Sequence, residues 1–184
     1  MERKSFRERF LNKRVILIAI AAAIIIGAGT TVGLLKASEN PSFCANCHII
    51  KPYHSTWSES SLLDHKHAEE DVTCQECHHN SIPEKAMEGL NYILGNYELP
   101  LEGGPEEGRS FCLDCHSEDG EGSSWEEIIA ATDFAESNPH DSHNGLQDCN
   151  VCHNMHEPSH AFCSDCHIFS WIDDLDEEAW TKSW

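Results

Sequence analysis

The sequence DCNVCHNMHEPSHAFCSDCH, residues 148–167, holds two copies of one short motif: a Cys, two other residues, a second Cys and then at once a His. Outward from this stretch, the motif occurs three more times in the 184 residues, and the five copies use all ten cysteines. The copies are Cys44–Cys47–His48, Cys74–Cys77–His78, Cys112–Cys115–His116, Cys149–Cys152–His153 and Cys163–Cys166–His167. A disulfide framework has no reason to use one spacing throughout, and a zinc site has no reason to place His after every second Cys.

The motif has the chemistry of covalent haem attachment. Two thiols three positions apart can each bond one vinyl group of the porphyrin, and the adjacent His can bind the iron. One copy would be ambiguous, since Cys-x-x-Cys also occurs in zinc and redox sites. Five copies predict five covalently bound haem c groups, with the ten cysteines as thioether donors and the five motif histidines as proximal iron ligands.

The composition fits a fold organised by these cofactors. Leu, Ile, Val and Phe are too sparse after residue 36 for a domain of roughly 145 residues to bury an ordinary apolar core. A haem macrocycle supplies the missing apolar surface. We therefore predict a mostly α-helical fold with much irregular structure, namely one transmembrane helix followed by a multihaem cytochrome c domain that needs its haems to fold.

Eight histidines lie outside the motifs, whereas five irons need at most five further ligands. The predicted distal ligands are His67, His140, His143 and His156, with His65, His54 and His160 as alternatives. Three of these flank the fourth motif, and His67 lies seven residues before Cys74. His79 directly follows a motif His and is expected to point elsewhere. A haem with two His ligands suits electron transfer, whereas a haem without a distal protein ligand could bind a substrate.

An uncharged run of 21 residues, VILIAIAAAIIIGAGTTVGLL, occupies residues 15–35. As a helix it spans the roughly 30 Å hydrocarbon layer of a bilayer once. Six cations precede it and only Lys36 follows at once, which predicts a cytoplasmic N-terminus and a haem domain outside the cytoplasmic membrane. A cleaved signal peptide is the alternative, but the run is longer than a typical signal core and no good small-x-small cleavage site follows it.

Charge restricts the partners. The formal net charge of −20 excludes a nucleic-acid binder of the usual basic kind. Beyond residue 14, six cations stand against 30 acids, a net charge of −24. A docking protein is therefore expected to present a basic patch and to associate at a salt-sensitive rate.

The spacing of the motifs divides the chain. We predict a cytoplasmic tail (1–14), an anchor (15–35), a dihaem module (36–100), a trihaem module (101–169) and an acidic C-terminal tail (170–184). A Gly-rich linker after residue 101 marks the boundary between the two modules. Apolar periodicity predicts helices over 82–101 and 125–134, with a loop over 118–122.

Residues 1–100 resemble the NapC/NirT/NrfH family of membrane-anchored multihaem quinol dehydrogenases. The residues that carry the likeness are the basic N-terminus, the anchor, Pro-Ser-Phe-Cys-Ala-Asn-Cys-His at 41–48, Trp57, His67, Val-Thr-Cys-Gln-Glu-Cys-His at 72–78 and Lys-Ala-Met-Glu-Gly at 85–89. The resemblance implies oxidation of membrane quinol, assisted by Lys85 and Glu88, and delivery of electrons to an extracytoplasmic reductase. In the family a Met often lies two residues after the first haem His, where this chain has Ile50, so the sixth position of the first haem is left open or shielded by Glu88.

Residues 111–169 are similar to the end of the tetrahaem domain of flavocytochrome c fumarate reductases, in which haems feed a flavin. That resemblance implies a separate flavoprotein partner, since no flavin domain follows. Two alternatives stay open: a terminal reductase of nitrite or hydroxylamine at an open-site haem, and a passive wire without quinol chemistry. Whether several copies associate as a homo-oligomer is also open.

Overall fold

A computed structural model describes residues 13–101, 108–116 and 125–184. The described chain is mostly helical, with short helices joined by irregular segments, which confirms the predicted fold class. The helices are α1 (Lys13–Ala37), α2 (Pro41–Cys44), α3 (Lys51–Ser58), α4 (Leu63–Glu69), α5 (Cys74–Cys77), α6 (Ile82–Leu94), α7 (Arg109–Leu113), α8 (Trp125–Ala131) and α9 (Ser170–Asp173). Two 3₁₀ turns (Cys149–Val151 and Phe162–Asp165) and two strands, β1 (Ser159–His160) and β2 (Trp180–Thr181), complete them.

The chain divides into two compact units, Met1–Cys44 and Ala45–Trp184. The first unit holds α1, which contains the whole predicted run and extends two residues beyond it at each end. None of its residues is buried within the protein, and it is long and apolar enough to cross a membrane. The Thr30 and Thr31 hydroxyls donate to the carbonyls of Ile26 and Gly27, so these polar groups are satisfied within the helix.

In the second unit, α6 ends earlier than the sequence predicts. The helix begins with a capping box, in which the Ser81 amide donates to Glu84 Oε2 at 2.7 Å, and it ends at Leu94 because Gly95 takes a left-handed conformation, φ 72°. The expectation of a helix through residue 101 is therefore wrong for its last turns. Helix α8 stops at Ala131 rather than 134, where Asn138 Nδ2 donates to the Ile129 carbonyl. The predicted loop at 118–122 and most of the Gly-rich linker lie outside the described residues.

The apolar core is as thin as the composition predicts. Among the described residues, only four apolar side chains are buried: Ile49, Leu62, Ala161 and Ile172. Ile172, on α9, is the one that is fully buried. Side chains alone therefore leave most of the Ala45–Trp184 unit without an interior, which is the condition expected of a domain built around large apolar cofactors.

Residues 170–184, predicted as an acidic tail, pack against the segment that holds the last two motifs. Strands β1 and β2 pair in parallel, with Ser159 opposite Trp180. The Trp171 indole donates to Ser137 Oγ at 3.0 Å, and the Trp184 indole donates to the carbonyl of the motif residue His167 at 3.2 Å. The end of the chain thus covers the environment of the last two motifs.

Candidate haem-binding site

The same local turn recurs in the motifs. In four of them the backbone N–H of the motif His donates to the carbonyl of the first Cys, at 2.8–3.0 Å. The residues that do so are His78, His116, His153 and His167. One turn of helix therefore places both cysteine side chains and the imidazole on one side of the chain, and none of the ten cysteines forms a disulfide.

Four motif histidines have a second histidine ring beside them. The ring centres of His78 and His156 are 6.3 Å apart, with planes inclined by 15°. Those of His153 and His140 are 6.2 Å apart, with planes inclined by 7°. The other two pairs are His116 with His67, at 5.9 Å, and His167 with His143, at 5.8 Å.

These separations fit two axial ligands on one iron. A bond from imidazole nitrogen to a metal is about 2 Å long, so two rings on opposite sides of one ion have centres roughly 6 Å apart. One ring of each pair directly follows, in the sequence, two cysteines at the spacing that haem attachment needs. The residues present therefore fit haem c at the second to fifth motifs.

One pair is held by a buried carboxylate. Asp64, only 3% exposed, accepts from His156 Nδ1 at 2.7 Å and from the Thr56 hydroxyl at 2.5 Å. The Asp64 amide donates to the Met155 carbonyl at 3.1 Å, which ties residues 56–64 to residues 155–156. A carboxylate on one ring nitrogen fixes the tautomer and leaves Nε2 as the nitrogen for a metal.

Two further paired rings are oriented by neutral groups. His140 Nδ1 lies 2.8 Å from the Thr132 hydroxyl, and the His140 amide donates to Asn138 Oδ1 at 2.9 Å. His67 Nδ1 donates to the Leu63 carbonyl at 2.8 Å. In both rings Nδ1 is engaged by the protein, so Nε2 is again the nitrogen that remains for a metal.

The first motif has a different surrounding. Tyr92 Oη lies 3.1 Å from His48 Nδ1, and Tyr97 Oη lies 3.4 Å from His48 Nε2. The two phenol rings are 6.0 Å apart and inclined by 22°. Tyrosines thus contact both nitrogens of this imidazole, and within the described residues no histidine ring is found against it.

Comparison with known proteins places this arrangement in a family. Residues 7–95 match the family model for the N-terminal region of NapC/NirT cytochromes c, and residues 65–168 match the model for cytochrome c3. The cytochrome c-type protein NrfH of Wolinella succinogenes is 30% identical over 128 residues, which cover 58% of this chain and 69% of that protein. The chain is a multihaem cytochrome c of the NapC/NirT family.

A second relative of this NapC/NirT-family cytochrome spans more of it. The cytochrome c-type protein Cgr1 of Eggerthella lenta is 29% identical over 186 residues, covering 85% of this chain and 83% of that protein. No solved structure matches the chain. The predicted family of residues 1–100 and the covalent haem c are confirmed. The C-terminal likeness is found at the level of cytochrome c3, while its narrower link to fumarate reductases stays a prediction.

Burial sets the protonation of the paired rings in this NapC/NirT-family cytochrome. Burial lowers the pKa of His78, and the neighbouring His156 and His79 lower it further. The pKa of His153 is lowered by burial and by the nearby His140, whose own pKa is lowered by burial. Each of these shifts favours the neutral ring, which is the form that binds a metal.

Burial raises the pKa of several cysteine thiols, whereas it lowers the pKa of these histidines. Burial and the adjacent Cys149 raise the pKa of Cys112 to about 11. Burial also raises the pKa of Cys77, with a contribution from Cys115. The cysteines of the second, third and fourth motifs therefore lie near one another, which places successive haem sites of the family fold side by side.

The remaining predicted residues lie elsewhere. Both nitrogens of His160 are occupied, by Thr181 Oγ1 at 3.3 Å and Asp165 Oδ1 at 3.1 Å. His65 Nδ1 donates to the Trp57 carbonyl, and the ring of His79 lies 5.8 Å from Phe111. His54 Nε2 is buried and has no hydrogen-bond partner among the described residues.

The two candidate quinol-site residues contact side chains in or near the second motif. Lys85 donates to Gln75 Oε1 at 2.9 Å, and Glu88 accepts from Asn80 Nδ2 at 2.5 Å.

Sequence reasoning missed four residues that orient the motif histidines or their partners: Asp64, Thr132, Tyr92 and Tyr97. For Thr132 a signal was present, since Asn-Pro at 138–139 favours a turn and the Asn138 carboxamide shapes the loop that carries His140. Asp64 lies 92 positions from His156 and no local pattern marks it. The tyrosines depend on where α6 ends, which the sequence reading misplaced.

Proposed function

We propose that this membrane-anchored cytochrome takes electrons from membrane quinol and passes them through five covalently bound haems to an extracytoplasmic reductase. The observation that carries the proposal is the pairing of four motif histidines with a second histidine ring, at 5.8–6.3 Å. An iron with two imidazole ligands has no open site for a substrate, which favours electron transfer over terminal reduction of nitrite or hydroxylamine at those four positions.

The paired rings assign a distal histidine to each of four haems. Haem c, when bound, supplies a reversible one-electron centre. The distal ligands we assign are His156, His67, His140 and His143, for the second to fifth motifs in that order. Asp64, Thr132 and the Leu63 carbonyl hold three of these rings by Nδ1, so their orientation is fixed before the iron is bound.

The electron donor is assigned to the membrane. Helix α1 is long and apolar enough to span a bilayer, and the six cations in residues 1–14 favour a cytoplasmic N-terminus with the haem domain outside. Lys85, Glu88 and Tyr92 are three and four residues apart on α6 and share one helical face. On this face Tyr92 contacts His48 of the first motif, whereas Lys85 donates to Gln75 inside the second motif and Glu88 accepts from Asn80 just after it. We assign the two charged residues to quinol oxidation on this face, beside the first two motifs.

The acceptor is assigned to a flavoprotein with a basic docking patch. Support comes from the cytochrome c3-type region at residues 65–168 and from the net charge of −24 beyond residue 14. Complementary charge accelerates encounter and is screened by salt, so transfer to the partner should slow as ionic strength rises.

The test is stopped-flow reduction of the oxidised, haem-loaded full chain in liposomes, with a menaquinol analogue or with dithionite. We expect rapid reduction by quinol. Lys85→Ala and Glu88→Ala should slow reduction by quinol but not by dithionite. Lys66→Ala is the matched control, because Lys66 pairs with Glu69 on the surface of α4, away from the α6 face.

No reduction by quinol alongside full reduction by dithionite would overturn the quinol part of the proposal and leave a passive wire. Equal slowing by both donors would indicate a folding defect instead. Binding of nitrite to a ferric haem, followed by turnover, would favour the terminal reductase.

A further inference from the structure

The first motif is the one whose histidine has no histidine partner within the described residues. The aromatic rings that border His48 are those of Tyr92 and Tyr97, with ring centres 5.6 and 6.4 Å away. In place of a second imidazole, His48 has two phenols, one at each ring nitrogen. A haem at the first motif would therefore have phenol groups beside its histidine, where the other four motifs have a second imidazole.

The two phenols lie at different nitrogens and so differ in role. In His67, His140 and His156 the protein engages Nδ1 and leaves Nε2 for the metal. At His48 the hydroxyl of Tyr92 is at Nδ1, 3.1 Å away, where it accepts the ring N–H when Nε2 binds iron. The hydroxyl of Tyr97 is on the Nε2 side, 3.4 Å away, which is the side of the iron.

In the described part of the chain, none of the spare histidines has a ring contact with His48. His160 has both nitrogens engaged by side chains, and His65 contacts the Trp57 carbonyl and Glu69. The His54 ring, whose buried Nε2 has no hydrogen-bond partner, lies against Trp57 at 5.8 Å, and His79 lies against Phe111. Tyr97 is held at the motif by a stacked Tyr92, which α6 carries, so its position is set by the fold.

We propose that the hydroxyl oxygen of Tyr97 is the distal ligand of the first haem, with Tyr92 as the positioning residue on His48 Nδ1. Tyrosine oxygen is an established type of axial haem ligand, and a partner on the second nitrogen of an axial His tunes the electron density at the iron. The proposal rests on haem attachment at the first motif and does not depend on quinol as the electron donor.

The experiment uses the full, haem-loaded chain in detergent. Mass spectrometry counts attached haems, and near-infrared magnetic circular dichroism of the ferric protein identifies axial ligand pairs. For the unaltered chain we expect four bis-histidine haems and one haem with a histidine and an oxygen ligand. Tyr97→Phe should keep five haems, lose the histidine–oxygen signature and gain one high-spin haem that binds cyanide.

Two other variants separate the roles. Tyr92→Phe should keep the histidine–oxygen signature but raise the midpoint potential of one haem, because the hydrogen bond that enriches His48 in electron density is lost. Tyr53→Phe is the matched control and should change neither, since it keeps the ring that lies 5.3 Å from His156 and removes only a hydroxyl that accepts from the Leu101 amide at 3.0 Å.

Five bis-histidine haems in the unaltered chain, or a five-coordinate first haem, would overturn the proposal, and so would an unchanged signature in Tyr97→Phe. If Tyr97→Phe loses haem, the spectrum of the unaltered chain still decides. If the unaltered chain carries fewer than five haems and the first motif is empty, the proposal is overturned, because it requires haem attachment there. Failure of reduction by quinol would contradict the proposed electron donor but not the Tyr97 ligand.

Discussion

The first and fourth motifs have the same five-residue pattern and different surroundings. His48 is exposed and lies between two tyrosines, whereas His153 has a parallel His140 ring on one side and the Trp180 indole on another. The motif by itself determines where a haem is attached. The groups beside the motif histidine come from segments brought in by the fold: α6 and Tyr97 for the first motif, and residues 125–140 with β2 for the fourth.

The largest expected difference between the two motifs concerns folding. Removing haem attachment at the fourth motif, with Cys149→Ala and Cys152→Ala, should abolish protease protection of residues 125–184, because the haem is the centre on which His140, His153 and Trp180 converge. Removing the first attachment, with Cys44→Ala and Cys47→Ala, should leave that protection intact. Limited proteolysis with mass spectrometry measures both, and equal loss in the two variants would contradict the distinction.

A smaller effect is expected when only the distal ligand is removed. His140→Ala should retain five haems, because the thioether bonds hold them, and convert one haem from low to high spin. His160→Ala is the control, since both of its ring nitrogens are already bound by the protein and no change of spin state is expected. Electron paramagnetic resonance of the ferric protein distinguishes the two, and an unchanged low-spin count in His140→Ala would remove His140 from the ligand set.

The smallest effects are expected from the residues that hydrogen-bond Nδ1 of the distal histidines. Asp64→Asn should lower the free energy of unfolding by about 2 kcal/mol, because a buried charged acceptor of two hydrogen bonds is lost. Thr132→Val should cost about 1 kcal/mol, since the group behind His140 is neutral. Denaturant unfolding measures both, and potentiometry should show a rise in one haem's potential in Asp64→Asn. A larger cost for Thr132→Val would show that charge is not what separates the two.

The features that depend only on local spacing and composition could be predicted from the sequence. The apolar helix and the thin core follow from composition, and the structure has both. His67 shows where such reasoning ends. It lies seven residues before Cys74, yet its ring is beside His116 of the next motif. Sequence distance identified it as a candidate ligand but could not identify its haem, because the pairing is made by tertiary contacts.

Two further residues show the same limit. Gly95 stood inside an apolar periodic run and was interpreted as helical, whereas its left-handed conformation ends α6 and turns the chain so that Tyr97 faces His48. Asp64 carries no motif at all, and its role arises only because residues 155–156 come to lie beside it. The misplaced end of α6 and the missed role of Asp64 both depend on which distant segments come into contact, and local sequence patterns do not encode that.

His78 and His156 pair although they are 78 positions apart, and this separation has a consequence for the order in which the protein matures. In the proposed orientation the N-terminus stays in the cytoplasm, and export of the following residues in chain order presents the second attachment motif long before the histidine that pairs with it. Thioether formation needs only the motif, so the second haem is captured first and remains without its partner ring until the C-terminal segment arrives. The proposed orientation therefore predicts maturation in two stages, attachment of haem in chain order and then pairing of His78 with His156.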